Sequence, residues 1–405
     1  MNSGSNRIIK KLLILAGSHF QIPVIKYAQK KGYYVITCDN RPENPGHALA
    51  DKYVNVSTTD MQGVLQTAIE NKVAGILAYA SDPAAQTAGY VSEKLSLPGN
   101  PFNAIKTLGF KSEYRRFLKD NKCNHPGFIV IKDGEYRDDK LQELKFPLFV
   151  KPVDSSGSKG VTKVNSREEM PEAIKFALLY STKKEIIIEE FIQKVGHQFG
   201  GEAYIYKGEL VMMCLGDQQV NTNSAFKYVP IATTFPAQLE KEEKELLKTE
   251  LQRIITLSGF RTGALNLEIM KTDERKFYFM EIGPRSGGNF LPEIMHYVCG
   301  FDEAGYSVEH ALGNDIIPPR VFDTREGYYA NFVINSPKKG IFHGVDKSAV
   351  LKNWIIEEHI FTNNGQEYAV FKHSGYLIGL WILYFSDKKE KDRFFGNPYD
   401  FYQFL

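Results

Sequence analysis

The segment YFMEIGPRSGGNF, residues 278–290, places an acid and a base four positions apart. Glu281 ends an apolar, strand-like run, and Arg285 follows it across a Gly-Pro step. A strand end with a surface ion pair is one interpretation of this pattern. The other is a site that holds a metal ion and a phosphate group, since carboxylates bind Mg²⁺ and guanidinium groups bind phosphate.

A second acid precedes this segment in the run ALNLEIM, where strand alternation puts Asn266 and Glu268 on one face. If this run pairs with KFYFMEI, Glu268 and Glu281 can point to the same side. Two carboxylates in an apolar setting repel each other unless a cation neutralises them. The pattern therefore predicts a site for Mg²⁺, or for Mn²⁺ in its place, at Glu268 and Glu281. The alternative is that one of the two faces solvent at a strand edge.

Two further segments have a composition suited to nucleotide binding. Lys151 follows the apolar run FPLFV, and residues 154–160, DSSGSKG, offer many accessible backbone N–H groups that could fold over phosphates. The Walker A pattern is absent, and a flexible surface hairpin is the alternative. The run EIIIEEFI is an apolar strand pattern that leads into two acids. It suggests a hinge between two lobes, where backbone groups could read an adenine edge and a Glu could accept from its amino group. An ordinary strand end explains the same pattern.

Composition narrows the class of protein. A chain of 405 residues predicts two or three domains, and 43% apolar with 24% charged residues indicates a globular protein. The net charge of +2 gives no sign of a nucleic-acid or membrane partner. The longest apolar run, GYLIGLWILYF, has about half the length of a membrane span. Four dispersed cysteines disfavour a zinc site or disulfide scaffold and suit a reducing cytoplasm.

The elements that must position these residues follow from the hydrophobic patterns. Residues 10–100 alternate strand and helix patterns, which predicts a parallel sheet covered on both faces. The first strand–helix turn, AGSHFQIP, has one glycine and lacks G-x-G-x-x-G, so this domain is expected to contribute to a substrate cleft rather than to bind NAD. The Pro- and Gly-rich segment 95–105 predicts a boundary. The predicted domains are 1–105, Rossmann-like; 106–318, central, with a lid at about 145–195; and 319–405, β-rich.

The order of these chemical groups is more specific than any one of them. Lys111, Lys151, the small-residue loop, two adjacent acids, Glu268, Glu281 and Arg285 follow one another along the chain. This order resembles the ATP-grasp superfamily, specifically its carboxylate–amine ligases. The N-terminal half resembles the purine-biosynthesis and carbamoyl-phosphate-synthetase-like members, and EIGPRSGGNFLPEI resembles the amino-acid and dipeptide ligases. The resemblance covers roughly residues 10–315 and implies an α/β fold of ATP-grasp architecture with a small β-rich C-terminal region.

The resemblance also implies a role for each matching residue. Lys111 and Lys151 match two lysines that contact ATP phosphates, and Glu268 and Glu281 match magnesium ligands. Arg285 matches the arginine that steadies the transferred phosphoryl group or the acyl-phosphate. The lid loop would comprise Ser155, Ser156, Gly157, Ser158 and Gly160, and the adenine-reading hinge would comprise Glu189, Glu190 and Ile192.

Two positions depart from the family pattern. The ribose-binding acid is replaced by Gln198, or by Glu202 if the register slips. The third metal ligand, commonly Asn two residues after the second Glu, is replaced by Gly283. Water, Asn266 or Asn289 could fill that coordination position. The alternative is a weakened second metal site and lower activity.

The implied activity is an ATP- and magnesium-dependent ligation through an acyl-phosphate, with release of ADP and phosphate. An ATP-grasp carboxylase, a kinase-type phosphotransferase and a catalytically weakened nucleotide-binding regulator are the alternatives. The partners would be a small carboxylate and a small amine, and a homodimer would be compatible with the family. Substrate contacts are expected from Asn289, Asp217, Lys227 and His19, although a solvated loop or a surface histidine explains several of these equally well.

Overall fold

In the computed structural model, the described residues are 9–133, 141–154, 160–220, 229–372 and 376–405. The N-terminal unit contains a parallel sheet with strand order β3-β2-β1-β4. Its strands and helices are β1 (Lys11–Leu15), α1 (Ile22–Lys30), β2 (Tyr34–Cys38), β3 (Lys52–Val54), α2 (Met61–Asn71), β4 (Gly75–Ala78) and α3 (Asp82–Lys94). The predicted parallel sheet is therefore confirmed.

Both faces of this sheet are covered, which explains why its strands are continuously apolar. On β1, Leu13 and Leu15 pack with residues of α2 and α3, whereas Leu12 and Ile14 pack with residues of α1. A helix from much later in the chain, α9 (Glu303–Ala311), also covers the second face through Val308. The N-terminal sheet is thus completed by a distant segment.

A smaller antiparallel sheet forms a separate lobe with strand order β5-β8-β6-β7. Two helices, α4 (Phe102–Gly109) and α5 (Lys111–Asp120), connect it to the N-terminal unit. The lobe consists of β5 (Phe128–Lys132), β6 (Leu148–Pro152), β7 (Thr162–Val164), α6 (Met170–Leu179) and β8 (Glu185–Glu190). It therefore begins earlier in the chain than the lid predicted at about 145.

The largest sheet has eight antiparallel strands in the order β13-β12-β9-β10-β11-β14-β19-β17. The amphipathic helix α7 (Lys241–Ser258) buries Leu247, Leu251, Ile254 and Ile255, as its pattern predicts. The helix α8 (Leu291–Cys299) follows the Gly-rich turn after the last strand of the hairpin. The central strands are β9 (Phe199–Tyr206), β10 (Glu209–Val220), β11 (Pro230–Phe235), β12 (Gly263–Lys271) and β13 (Phe277–Gly283).

The C-terminal region is β-rich, as predicted, and three of its strands extend the same large sheet beyond residue 318. Trp381 and Phe332 are fully buried in its aromatic core. The domain boundaries remain predictions, but sheet pairing continues across the one placed at 318. The elements are β14 (Tyr328–Ile334), β15 (Gly340–Ile341), β16 (Val345–Lys347), α10 (Ala349–Trp354), β17 (Ile355–Ile360), β18 (Glu367–Tyr368), β19 (Gly379–Phe385), α11 (Lys388–Gly396) and β20 (Tyr402–Phe404).

Within the described part of the chain, no helix is long and apolar enough to cross a membrane.

Candidate active site

The predicted carboxylate pair is formed by the hairpin of β12 and β13. Glu268 and Glu281 are directly opposite each other in the strand register, so the prediction that they lie together is confirmed. Gln198 Nε2 donates to Glu268 Oε2 at 3.2 Å, and Lys111 Nζ lies 3.3 Å from Glu281 Oε2. Burial, followed by repulsion from Glu281, raises the pKa of Glu268 to about 7, against the opposing effect of Lys111.

These two acids fit a hard divalent cation. A cation between them would remove the repulsion that raises the Glu268 pKa, and carboxylate oxygen is the ligand that Mg²⁺ prefers. The described residues contain no group of three or more His, Cys, Asp or Glu side chains arranged to hold a metal. The remaining coordination would therefore fall to substrate oxygens, water or an amide oxygen, as is usual for Mg²⁺.

Arg285 is held by an acid that the sequence patterns did not single out. Its Nε and Nη2 groups donate to the two carboxylate oxygens of Asp82 at 2.7 and 2.6 Å, and Nη1 donates to the Ser286 carbonyl at 2.8 Å. Since a guanidinium has five N–H donors, two are left that no described residue engages. Asp82 begins α3 and is 203 positions from Arg285, so only folding brings them together.

The glycine in place of the expected asparagine makes room for this pair. A Cβ atom on Gly283 would lie 3.2 Å from Asp82 Oδ1, which is tighter than an ordinary contact, and 3.4 Å from Arg285 Cζ, which is an ordinary van der Waals contact. Asn266 is the register partner of Gly283, so an amide is still present at this level of the hairpin. Its Nδ2 donates to Gly201 O at 3.2 Å and to Glu202 Oε1 at 2.9 Å. The role of Asn266 as a metal ligand remains a prediction.

A buried ion cluster lies at the predicted hinge. Glu189 is 1% exposed, and its carboxylate contacts Arg115 Nε and Lys151 Nζ, each at 2.7 Å. Although burial opposes ionisation, Arg115 and Lys151 together lower the pKa of Glu189 to about 2. The predicted use of the Glu189 side chain to read adenine is therefore corrected, because its oxygens are engaged within the protein. Arg115 was not predicted from the sequence. Because it follows Lys111 by four positions, both side chains lie on the same face of α5, and this spacing was the signal available in the sequence.

The neighbouring hinge residues have different surroundings. The Glu190 carboxylate accepts from the backbone N–H groups of Lys145 at 2.9 Å and Gly127 at 3.3 Å. It thus fixes the end of β8 to two loops. Ile192 follows β8, and adenine recognition by the backbone of Glu190 and Ile192 remains a prediction.

The predicted lid loop is only partly described. Gly160 has a φ of +73°, a conformation that suits glycine. The predicted phosphate contacts Ser155, Ser156, Gly157 and Ser158 and the predicted substrate contact Lys227 lie outside the described residues.

The two candidates for ribose binding occupy different positions. Gln198 contacts Glu268, as described above. Glu202 is fully buried beneath the Gly-rich turn and accepts from Asn266 Nδ2 and from the Gly287 N–H, both at 2.9 Å. The alternative that placed Glu202 on a ribose is therefore corrected. Burial raises the pKa of Glu202 to about 8, and its carboxyl group contacts that of the buried Glu303.

The described residues that were predicted to contact substrate also have different surroundings. Asp217 is 1% exposed and accepts from the Gln238 N–H at 3.1 and 3.3 Å, so its predicted place in an open acceptor pocket is corrected. Asn289 has a φ of +55° in the Gly-rich turn, and its carbonyl accepts from Asn331 Nδ2 at 2.9 Å. The centroid of the His19 ring lies 4.3 Å from that of Phe361 in the C-terminal region, with the two rings tilted by 36°, and burial together with repulsion from His359 lowers the pKa of His19.

The site contains equal numbers of cationic and acidic side chains. Its four cations are Lys111, Arg115, Lys151 and Arg285, and its four acids are Asp82, Glu189, Glu268 and Glu281. Each of the three cations predicted to meet phosphate already has an acidic partner. These pairs hold the cations in place around the position expected for a metal and a phosphate chain.

Known proteins resemble this chain in sequence over its central part. Residues 144–293 match the family model of the ATP-grasp domain. The formate-dependent phosphoribosylglycinamide formyltransferase of Bacteroides thetaiotaomicron is 26% identical over 289 residues, which are 68% of this chain and 71% of that protein. An uncharacterized protein of Sinorhizobium fredii is 24% identical over 245 residues, 60% of this chain. The chain spans about half, 49%, of the length of this second relative.

Solved structures show the same fold over almost the whole chain. The L-amino acid ligase of Bacillus licheniformis superposes with a TM-score of 0.79 at 22% identity and covers 98% of both chains. The biotin carboxylase domain of the Hydrogenobacter thermophilus 2-oxoglutarate carboxylase, solved with MgADP and bicarbonate, has a TM-score of 0.74 at 16% identity. That match covers 93% of this chain and 86% of the other.

The chain contains an ATP-grasp domain over residues 144–293, and the predicted α/β architecture is confirmed. These similarities agree with the predicted class of enzyme and with the predicted ATP and Mg²⁺.

Proposed function

We propose that this protein is an ADP-forming ligase that joins a small carboxylate to a small amine with consumption of ATP. The observation that carries this proposal is the Arg285 guanidinium beside the Glu268–Glu281 pair. Asp82 fixes its orientation and leaves two N–H donors for an anionic group. A positioned guanidinium next to a magnesium-type carboxylate pair suits phosphoryl transfer to a carboxylate.

In the first step, a carboxylate oxygen of the substrate forms a bond to the γ-phosphorus of ATP, and the bond from that phosphorus to ADP breaks. Bound Mg²⁺ would neutralise charge on the phosphates, and Glu268 and Glu281 would hold it. Lys111 and Lys151 would contact the phosphates, and Arg285 would contact the acyl-phosphate. In the second step, the amine nitrogen forms a bond to the acyl carbon, phosphate leaves, and the nitrogen loses a proton.

The residues act mainly through placement and charge. Little covalent chemistry falls to the protein in phosphoryl transfer, so the fixed cations have the largest effect on rate. The ion pairs at Glu281, Glu189 and Asp82 hold these cations before substrate arrives, which reduces the rearrangement needed when substrate binds.

Three further properties belong to the same proposal. The acid and the amine are small molecules. A homodimer is supported by the dimer named for the biotin carboxylase domain above. A cytoplasmic location is supported by four free cysteines.

The test is ADP release from the full chain with ATP and Mg²⁺ against a panel of amino acids, sugar acids and amines, with mass spectrometry of the products. We expect ADP release and an amide product with at least one acid–amine combination. Glu281→Gln and Arg285→Ala should each reduce turnover by about two orders of magnitude or more while the protein stays folded. Glu274→Gln is the matched control, because this exposed glutamate lies on the turn of the same hairpin.

Near-normal ligation by a soluble Glu281→Gln protein would contradict the site. Formation of a phosphorylated acid without any amide product would instead favour the kinase-type alternative.

A further inference from the structure

The second step of the proposed ligation needs a group that removes a proton from the amine. An amine attacks an acyl carbon through its free lone pair, and alkyl amines are mostly protonated near pH 7. The acids of the site have other tasks. Glu268 and Glu281 are assigned to the metal, and Asp82 is bonded to Arg285. A proton acceptor is therefore sought outside this set.

Open space borders the Gly-rich turn between Arg285 and Phe290. A Cβ atom on Gly288 would meet no heavy atom beyond its chain neighbours within 4 Å, so the turn leaves room there. The carboxyl edge of the N-terminal sheet faces the same turn, since the Ala80 N–H donates to Ser286 Oγ at 3.0 Å. Ligands of open α/β sheets bind at this edge. The acyl substrate would therefore lie beside the turn, next to Arg285.

Aromatic contacts place a histidine at the far end of this turn. The centroid of the Phe290 ring lies 5.3 Å from that of Phe20 in the turn after β1, and 4.3 Å from that of His359 on β17. Phe290 is buried and has a φ of +54°, which bulky residues rarely adopt, so the contacts around it hold this conformation. The His359 ring is thus fixed against the turn that carries Arg285.

The His359 ring is oriented by an acid on its own strand. Strand alternation places Glu357 and His359 on one face of β17, and His359 Nε2 lies 2.8 Å from Glu357 Oε2. An ionised carboxylate only accepts, so Nε2 carries the proton and the lone pair of a neutral His359 is on Nδ1. In the described part of the chain, no residue is hydrogen-bonded to Nδ1. A histidine held in one tautomer by an acid has the arrangement of a general base.

Glu357 is itself held in place by helix α8. Tyr297 on this helix donates to Glu357 Oε1, the oxygen that His359 does not use. The hydrogen bond from His359, together with that from Tyr297, lowers the pKa of Glu357 against the effect of burial. The carboxylate is therefore ionised and stabilises the charge that His359 gains with a proton. The His359 side chain is 32% exposed, so this proton can pass on to water.

His19 is the other histidine of this aromatic cluster. Burial and repulsion from His359 lower the pKa of His19, which keeps its ring neutral. None of the described acids is bonded to the His19 ring, so no group fixes its tautomer. The contact with Glu357 therefore distinguishes His359 from His19 as a proton acceptor.

We propose that His359, oriented by Glu357, is the general base of the second step, an inference that rests on the proposed ligation. The amine nitrogen forms a bond to the acyl carbon, the bond from that carbon to the phosphate oxygen breaks, and phosphate leaves. The proton of the amine passes to Nδ1 of His359 and from there to water. The C-terminal region thus supplies a catalytic residue to the site.

The test separates the two steps by changing the nucleophile. Hydroxylamine is unprotonated near pH 7 and traps an acyl-phosphate as a hydroxamate, so it does not depend on a base to free its lone pair. With ATP, Mg²⁺ and the acids of the panel, His359→Ala should form hydroxamate within about threefold of the unaltered protein. Amide formation with the amines of the panel should fall about 100-fold or more, and added imidazole should restore part of it.

Two further variants keep the test decisive. His359→Gln can still donate to Glu357 but cannot take up a proton, so it should show the same split between the two products if His359→Ala does not fold. His343→Ala removes an exposed histidine of the C-terminal region and should behave as the unaltered protein does.

Equal amide formation by His359→Gln and the unaltered protein, or equal losses of hydroxamate and amide, would overturn the role of His359. Absence of hydroxamate from the unaltered protein with every acid would contradict the proposed ligation itself.

Discussion

At the scale of single residues, the active site consists of cations whose positions are set by acidic partners. Lys111 lies against Glu281, and Arg285 forms a two-point contact with Asp82. Such charge-assisted pairs are stronger than neutral hydrogen bonds and fix orientation as well as distance. The orientation of Arg285 therefore depends on the N-terminal unit, which supplies Asp82, as well as on the turn after β13, which contains Arg285.

Asp82→Asn tests this positioning role. The change keeps the size of the side chain but removes its charge, so Arg285 loses its two-point partner. We expect kcat of the proposed ligation to fall about 10- to 100-fold, while the dissociation constant for MgATP stays within about threefold. The measurements are steady-state ADP release and a separate nucleotide titration.

Asp82→Glu is the companion variant, since it keeps the charge and should recover part of the lost rate. Equal losses in kcat and in MgATP affinity, without any recovery in Asp82→Glu, would point to a general structural defect instead.

At the scale of elements, helix α5 links the hinge strand β8 to the rest of the site. Arg115 on this helix and Lys151 on β6 both contact Glu189 on β8, and all three side chains are largely buried. Removing one partner from a buried ion cluster leaves a charge without compensation, which destabilises much more than loss of an exposed pair. The cluster therefore fastens the smaller lobe to the helix that presents Lys111.

Arg115→Met should lower the free energy of unfolding by about 3–5 kcal/mol. The matched control is Arg116→Met on the same helix, because Arg116 pairs with Glu113 at 2.8 Å and both side chains are about half exposed. This control should change stability by less than about 1 kcal/mol. Urea denaturation followed by circular dichroism measures both. Similar midpoints for the two variants would contradict the structural role of the cluster.

At the scale of the whole molecule, the Gly-rich turn rests on buried carboxyl groups. Glu202 accepts a hydrogen bond from the Gly287 N–H and contacts Glu303, which is 1% exposed and begins α9. Burial raises the pKa of Glu202 from its ordinary value of 4.5 to about 8 and raises that of Glu303 as well. Between about pH 4.5 and pH 8, the folded state therefore binds more protons than the unfolded state.

This difference predicts that stability depends on pH. Because the folded pKa is the higher one, the stabilisation is fully present below about 4.5 and is lost as the pH rises toward about 8. Glu202→Gln cannot ionise, so its melting temperature should fall less than that of the unaltered protein between pH 5 and pH 8. Thermal unfolding at several pH values measures this difference. Parallel curves for the two proteins would contradict the assignment.

The sequence by itself determined the local parts of this protein. Strand alternation predicted that Glu268 and Glu281 would share one side of a hairpin, and the observed register confirms it. The strand–helix alternation predicted the parallel N-terminal sheet, because each strand must be apolar on both faces. The order of lysines and acids led to the ATP-grasp superfamily, which the family model supports.

Only the tertiary structure decided the partners of these residues. Asp82 meets Arg285 from 203 positions away, and the burial of Glu189 and Glu202 depends on elements that no local pattern relates. Gly283 had suggested a missing metal ligand, whereas in the folded chain it provides space for the Asp82–Arg285 pair. Periodicity specifies which face of an element a side chain occupies, but the contact across two elements depends on how they pack.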